Sequence, residues 1–346
     1  MKNILTTAAV ALFALGAMAQ SYTTQVKPAG GKLWGYANET GKIIIPAKYQ
    51  KCYYFSEGLA AIKENKKFFF IKPDGSLLDI KVKDFRLAKA SLFGLQGFSE
   101  GMVQIKIKDK WGYLNKDGEL AIEAQFDAAT RFENGYAIVK TGTDYFVIDK
   151  KGNQTKIDVP NIKKVKPFSE GLAPLYNTNG NVGFVNTKGE LAIETRFYGA
   201  GYFVNGRAWV KNLTKQFGYI NTSGEWVIEP KFMACKNFDK SSGLARVKYQ
   251  DKWAYVTMDG EMVYVKDTEV WGDFYDGLAK GKKNGKLGFY DKTGNYVIEP
   301  QFEGVRNFRN GFAAAKLNGK WGIIDSRGEW VIKPEFDGIR DMELMQ

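Results

Sequence analysis

The 346-residue sequence contains no histidine, only two cysteines and only nine prolines. Without histidine the chain has no Ser-His-Asp or Cys-His nucleophile system, no histidine metal site and no histidine general base. Two cysteines are too few for a zinc site or a disulfide framework. Because proline is scarce, the 38 glycines do not indicate a collagen or a low-complexity chain. We therefore expect no catalytic residues, no metal and no cofactor.

The N-terminus has the pattern of a secretory signal peptide. Met1-Lys2-Asn3 is a short basic start, an apolar run extends from Ile4 to Ala17, and Ala17-Met18-Ala19 has the small-x-small form of a cleavage site. The run is shorter than the ~20 residues that a membrane span needs, and no later stretch is long and apolar enough to cross a membrane. We predict a signal peptide at residues 1–19 and an exported mature chain, residues 20–346, that is periplasmic or extracellular and has no transmembrane segment.

One sequence unit recurs nine times after this segment. Each copy has a turn glycine and, seven residues before it, a bulky apolar residue that is often followed by glycine, as in Trp111-Gly112 and Trp321-Gly322. The turn glycines are Gly41, Gly75, Gly118, Gly152, Gly189, Gly224, Gly260, Gly294 and Gly328. A second signature, Phe-x-x-Gly-x-Ala, occurs in several copies, for example from Phe308 to Ala313. The units are about 34–37 residues long, with one insertion near residues 81–96, and form a single repeat domain.

Each unit has the pattern of three short strands. Residues 245–248 alternate small or apolar with polar side chains, which is the period of a half-buried strand. The turns between strands end in glycine, as in tight hairpins. No stretch shows a 3.6-residue apolar stripe, so the sequence predicts an all-β protein with almost no helix.

The Trp-Gly step, the turn glycine and the Phe-x-x-Gly-x-Ala step resemble those of WG-repeat (KWG-type) proteins over about residues 21–340. Several copies depart from the pattern: Phe68-Phe69, Tyr145-Phe146 and Val182-Gly183 lack the tryptophan, and Trp253-Ala254 lacks the glycine. The resemblance implies a β-repeat scaffold and brings no catalytic residues with it.

The repeat can form an open array or a closed ring. Propellers typically have 4–8 four-stranded blades and a period of ~40–45 residues. The present unit is shorter, nine copies exceed that range, and neither terminus offers an obvious orphan strand to close a ring. The sequence favours an open, twisted, solenoid-like array of nine three-stranded meanders, with a closed propeller-like ring as the alternative.

Repetition also separates scaffold residues from candidate site residues, since a catalytic site is needed only once. Glutamates that follow the turn glycine in several units, such as Glu119 and Glu225, are interpreted as turn and strand-edge residues. Cys52 and Cys235 occupy a position that is apolar in other units, so both are predicted to be buried core thiols.

Two features are the strongest candidates for a binding surface. The strand exemplified by residues 245–248 has a lysine as its fourth residue in most units. These lysines are Lys63, Lys106, Lys140, Lys211, Lys248, Lys282 and Lys316, with Lys27 in the first unit and a break at Tyr176. The ladder could serve solubility and edge protection, or it could form a basic docking surface. Trp209 stands where other units carry varied residues, and it would be an exposed contact residue if that position faces solvent. The alternative for Trp209 is packing on an aromatic side chain of a neighbouring unit.

The leading hypothesis is an exported, non-enzymatic binding scaffold that engages an envelope protein or an anionic polysaccharide. A self-associating structural envelope component is the second hypothesis. A carbohydrate-active enzyme that uses paired carboxylates is the third, with Asp273 and Asp276 near Trp271 as the least repeat-like set. No nucleic-acid-binding motif is present, so we expect no nucleic-acid partner.

Overall fold

The structure, a computed structural model, describes residues 21–90, 94–95 and 97–345. The predicted signal peptide at residues 1–19 lies outside them. Across the described ranges the strands form nine antiparallel sheets of three to five strands and one two-stranded hairpin, with no helix. The all-β prediction is therefore confirmed. In this part of the chain there is accordingly no helix with the length and hydrophobicity to cross a membrane.

We call the nine sheets blades and number them along the chain. Blade 1 contains β1 (Tyr22–Lys27), β2 (Trp34–Asn38) and β3 (Ile43–Tyr49). Blade 2 contains β4 (Lys51–Ser56), β5 (Leu59–Glu64) and β6 (Lys67–Ile71). Blade 3 contains β7 (Phe85–Leu87), β10 (Met102–Ile107), β11 (Lys110–Asn115) and β12 (Leu120–Phe126). The insertion between β7 and β10 carries the hairpin of β8 (Lys89–Ala90) and β9 (Gly94–Leu95).

The remaining blades follow the same order. Blade 4 contains β13 (Ala128–Ala129), β14 (Tyr136–Thr141), β15 (Asp144–Asp149) and β16 (Gln154–Lys156). Blade 5 contains β17 (Ile162–Val165), β18 (Leu172–Asn177), β19 (Val182–Asn186) and β20 (Leu191–Phe197). Blade 6 contains β21 (Gly199–Ala200), β22 (Ala208–Lys211), β23 (Phe217–Ile220) and β24 (Trp226–Phe232).

Blades 7 to 9 complete the chain. Blade 7 contains β25 (Ala234–Cys235), β26 (Leu244–Tyr249), β27 (Lys252–Thr257) and β28 (Met262–Val263). Blade 8 contains β29 (Phe274–Tyr275), β30 (Leu278–Lys283), β31 (Lys286–Tyr290) and β32 (Tyr296–Phe302). Blade 9 contains β33 (Gly304–Val305), β34 (Phe312–Leu317), β35 (Lys320–Asp325) and β36 (Trp330–Phe336), and β37 (Gly338–Ile339) and β38 (Glu343–Leu344) end the chain.

Local turn chemistry fixes the hairpins between the third and fourth strands. In blade 3, Asn115 Oδ1 accepts hydrogen bonds from the backbone N–H groups of Asp117 at 3.0 Å and Glu119 at 2.9 Å. Gly118 has a φ of +80°, which favours glycine. The same polar residue and glycine recur in most units, so each unit forms this hairpin from its own sequence.

Most blades have four strands, so the expectation of three per unit is wrong. The extra element is a first strand, often of only two residues, that follows the fourth strand of the preceding blade almost directly. In blade 9 this strand is β33, where Val305 pairs with Ala315. Two residues are too few to show an alternating pattern in the sequence.

The nine blades close into a ring, which corrects the prediction of an open array and supports its alternative. β37 pairs with β1 in the register Val26↔Ile339 and Lys27↔Gly338, so the C-terminal segment supplies the first strand of blade 1. β38 also pairs with β1, through Tyr22↔Leu344. The closing strand is two residues long, which is why no orphan strand was recognised in the sequence.

The seam between blades 9 and 1 repeats the contacts of an interior blade boundary. Between blades 3 and 4, Asp127 accepts from Lys110 Nζ at 2.5 Å and from the N–H of Gly142 at 2.7 Å. At the seam, Asp337 accepts from Lys320 Nζ at 2.5 Å and from the N–H of Gly30 at 2.8 Å. The seam is therefore built like the other blade boundaries.

The hydrophobic core lies between neighbouring blades. One cluster joins Tyr113 and Phe126 of blade 3 to Phe132 and Val139 of blade 4. Because each blade is covered by its neighbours on both faces, successive residues near the middle of a second strand are buried, as in Ala60, Ala61 and Ile62 at 0–4% exposure. A blade cannot bury its apolar surface alone, so the array needs neighbours at every position.

Candidate binding surface

The hairpins that join the second and third strands all lie at one end of the ring, because the blades share one strand order. We call this end the second-hairpin face. It consists of residues 27–32, 63–67, 106–110, 140–144, 176–181, 211–216, 248–252, 282–286 and 316–320.

The second-hairpin face carries the positive charge of the protein. Its nine segments contain 18 lysines and four Asp or Glu residues, a net +14, whereas the whole sequence carries +12. The segments of blades 4 and 5, residues 140–144 and 176–181, sum to zero. All of the excess therefore lies on blades 6 to 9 and 1 to 3. These seven blades are contiguous because the ring is closed, and we call them the basic arc.

The seven predicted lysines occupy the same register in their blades. Each is directly opposite a bulky residue in the first two positions of the third strand: Lys63↔Phe68, Lys106↔Trp111, Lys140↔Tyr145, Lys211↔Phe217, Lys248↔Trp253, Lys282↔Leu287 and Lys316↔Trp321. The structure thus places them as a row around one end of the ring.

These lysines are half-buried, and in four of them the ammonium lies over the aromatic ring directly opposite. The ammonium of Lys106 lies 5.7 Å from the ring centroid of Trp111, and that of Lys63 lies 5.4 Å from the ring of Phe68. Such contacts stabilise the cross-strand pair and hold the charged end near the hairpin.

Three of the row also have a carboxylate within 4 Å. Lys248 Nζ is 2.9 Å from Asp251, Lys282 is 3.7 Å from Glu269, and Lys106 is 3.9 Å from Asp109. The three carboxylates are half or more exposed, and surface pairs of this kind contribute little to stability. An anionic partner can therefore compete for these lysines at small cost.

Trp209 is half-buried on β22. Its ring lies 5.6 Å from that of Phe217, and its side chain covers Gly199 and Gly201. The equivalent residues in other blades, such as Ala61 and Ile138, are buried against the neighbouring blade. Trp209 thus packs on an aromatic of its own blade, and its role as a contact residue stays a prediction.

The opposite end of the ring has a set of contacts that the sequence did not reveal. Glu57, in the turn between β4 and β5, accepts hydrogen bonds from the N–H groups of Glu100 at 2.6 Å and Gly101 at 2.7 Å in the next such turn. Glu170 accepts in the same way from Asn205 and Gly206, both at 2.8 Å. A carboxylate directly before the glycine of the Phe-x-x-Gly-x-Ala signature, as in Glu57-Gly58 and Glu170-Gly171, is the sequence signal of this link. These carboxylates link neighbouring blades at the end of the ring opposite the second-hairpin face, whose net charge is positive.

The carboxylates considered for catalysis are engaged in structural contacts. Asp273 lies 2.9 Å from Arg246 Nε, and Asp276 accepts from the N–H of Gly311 at 3.0 Å. Among the residues that the structure describes, no three His, Cys, Asp or Glu side chains are grouped to hold a metal ion.

The two cysteines occupy equivalent positions in blades 2 and 7. Burial raises the pKa of the Cys52 thiol to about 12 and also raises that of Cys235, so neither is an activated nucleophile.

Comparison with known proteins gives a family and a fold. Residues 34–68, 111–142, 183–213, 217–253, 288–321 and 321–343 match the model of the WG containing repeat. No curated protein sequence matches the chain.

Among solved structures, one described as the crystal structure of the eukaryotic initiation factor is similar at a TM-score of 0.64 and 12% identity, over 94% of this chain and 98% of that one. At that identity the likeness concerns the fold alone. A computationally designed protein, Ika8, has a TM-score of 0.46 at 10% identity over 80% of this chain and 93% of that one. BamB from Moraxella catarrhalis has a TM-score of 0.41 at 12% identity over 80% and 91%, and neither of these two carries an argument.

Proposed function

The chain belongs to the WG containing repeat family, and from this and its closed ring we propose that it is an exported, non-enzymatic binding scaffold. The partner is an anionic polymer of the envelope, either an acidic protein or an anionic polysaccharide. The basic arc is the surface that engages it.

The observation that carries the proposal is the segregation of charge. A net +14 on the second-hairpin face exceeds the charge of the whole sequence, so the remaining residues sum to a slightly negative value. A surface of one sign attracts an oppositely charged partner and orients it before contact. Solubility alone would be served equally well by lysines distributed over both ends.

Closure of the ring favours this proposal over self-association. Self-association by stacking would use the strand edges that an open array exposes at its two ends. At the seam, β37 pairs with β1, so the first blade offers no free end there for stacking.

Export is proposed from the N-terminal sequence. The basic start, the short apolar run and Ala17-Met18-Ala19 support cleavage before Gln20. N-terminal sequencing of protein recovered from the cell envelope or the medium should begin at Gln20. A protein that retains Met1 in the cytoplasm would contradict export.

Binding to dextran sulfate and to poly-L-glutamate, measured across a salt series, tests the basic arc and separates the two partner classes. Replacing Lys282, Lys283 and Lys286 of blade 8 by glutamine should weaken binding several-fold at low salt and flatten its salt dependence. The matched control replaces Lys150, Lys151 and Lys188, which lie on hairpins at the opposite end, and should bind as the wild type does. Equal losses in the two triple variants, or no binding to either polyanion, would contradict the proposal.

A further inference from the structure

Blade 2 differs from its neighbours at its outer edge. In six blades a seven-residue fourth strand covers the third strand, but the described residues of blade 2 form only β4, β5 and β6. The chain pairs with β6 only at its end, through the bridge Ile71↔Leu77 and a hydrogen bond from the N–H of Leu78 to Phe70 O at 2.8 Å. It then leaves for blade 3, where the N–H of Lys81 donates to Gly118 O at 3.1 Å.

Among the residues that the structure describes, none pairs with the outer side of β6 before Phe70, so the start of β6 is an open strand edge. Backbone groups of residues i and i+2 point to the same side of a strand. Because Phe70 O points towards Leu78, the N–H and C=O of Phe68 point to the same outer side, where the sheet ends. An open edge of this kind is a template for pairing with another extended chain.

A cleft of about 390 Å³ lies beside that edge, between β6 and residues 78–86. Its half-buried lining is apolar and includes Phe69, Leu78, Ile80 and Val82. This volume is within the range of ligand pockets in proteins, and it has room for side chains from an added strand.

The exposed margin of the cleft is basic. It carries Lys66, Lys67, Lys83 and Arg86 against one carboxylate, Asp84, which lies 3.2 Å from Lys67. The cleft belongs to the basic arc, since blade 2 is one of its seven blades. Its chemistry combines strand pairing, apolar side chains and an attraction for negative charge.

We propose that this cleft is the docking site for an extended, acidic segment of a partner protein. The segment adds to β6 as the missing fourth strand, places alternate apolar side chains in the cleft and directs its carboxylates to the lysines and arginine at the margin. The inference rests on the proposed function in that it assumes a binding scaffold, and it selects an acidic protein over a polysaccharide for this site.

The test uses fluorescein-labelled, end-blocked hexapeptides in which Val alternates with Asp and Glu. We expect saturable binding by fluorescence anisotropy, loss of binding when Lys replaces the acidic residues, and loss when alternate peptide nitrogens are methylated, because methylation removes the strand hydrogen bonds. Val82→Glu places a carboxylate in the cleft and should raise the Kd roughly tenfold or more, because like charges oppose the peptide. The matched control, Val297→Glu on the exposed face of β32, should bind as the wild type does.

Each other result overturns the proposal. Equal binding by the methylated peptide excludes strand addition, and equal binding by Val82→Glu and the wild type excludes this cleft. A wild-type dimer in sedimentation that Val82→Glu dissociates would make a second copy the occupant. Dextran sulfate binding by the same variants distinguishes the two proposals. If the protein binds dextran sulfate but not the peptide, the cleft proposal alone fails. If it binds the peptide but not dextran sulfate, the basic-arc proposal alone fails.

Discussion

At the scale of single residues, the glycine of the Trp-Gly step is explained by the fourth strand. A Cβ added at Gly112 would lie 2.5 Å from Ile122 O and 2.8 Å from Ala124 N, both in the backbone of β12. Three blades carry another residue at this position, Phe69, Phe146 and Ala254. In the same three blades, 2, 4 and 7, the fourth strand is missing or only two or three residues long. Glycine is thus required where a full fourth strand crosses closely.

Gly112→Ala should therefore destabilise the protein, because the added methyl group meets backbone that cannot rotate away. Overpacking of this kind costs about 1–3 kcal/mol, so the melting temperature should fall by several degrees. Calorimetry on the purified wild type and variant measures this change in melting temperature.

The matched control is Gly199→Ala in blade 6, where an added Cβ would lie no closer than 3.5 Å to its neighbours, which is ordinary van der Waals contact. That change should be neutral or slightly stabilising, because alanine restricts the unfolded chain more than glycine does. If the two substitutions lower the melting temperature equally, the close approach of β12 is not the reason for the glycine.

At the scale of elements, long hairpins were predictable from the sequence and short strands were not. Residues 320–325 and 330–336 combine apolar runs with a polar turn ending in Gly328, and both form the expected strands. β33 and β37 have two residues each, so no periodicity marks them. The sequence therefore does not predict that the ring closes. The partner in a link such as Glu57 to Gly101 is also not indicated by local sequence, since the two residues are 44 positions apart.

The last strand, β38, brings a buried carboxyl group to the seam. Glu343 is 7% exposed, lies 2.8 Å from Arg309 Nε and accepts from Asn310 Nδ2 at 3.3 Å. Burial raises its pKa from 4.5 to about 7, and Asp341 and Asp276 add to the rise while Arg309 and Asn310 oppose it. The folded protein therefore holds this proton more tightly than the unfolded chain does.

The stability of the seam should fall as the pH rises. A raised carboxyl pKa contributes stability that is fully present below pH 4.5 and is lost as the pH rises through about 7. Glu343→Gln removes this titration, so the melting temperature of the wild type should drop relative to that of the variant between pH 5 and pH 8.

Glu335→Gln, on the exposed side of β36, is the control for the loss of one carboxylate from the surface. It should keep the pH profile of the wild type. A constant difference in melting temperature between wild type and Glu343→Gln across this pH range would show that Glu343 does not titrate there.

At the scale of the whole molecule, closure of the ring determines whether the positively charged surface is continuous. The lysine row was recognisable from the sequence, because one residue type recurs at one position of each unit. The sequence does not show that these lysines form one continuous arc, because blades 6 to 9 are far from blades 1 to 3 in the order of units along the chain. The pairing of β1 with β37 and β38 makes the seven charged blades continuous.

A circular permutant tests this continuity. The N–H of Met345 donates to Ser21 O at 3.0 Å, so a short Gly-Ser linker can join the two ends, and new termini can open between Gly142 and Thr143, in a hairpin whose charges sum to zero. Hairpin tips tolerate such cuts, so the permutant should have the hydrodynamic radius, melting temperature and dextran sulfate affinity of the wild type, within a few degrees for melting. A permutant opened between Val147 and Ile148, both buried in β15, should fail to fold and serves as the control. An expanded or aggregated first permutant would show that the seam is not the continuous boundary described, and the charge would then divide into two separate patches.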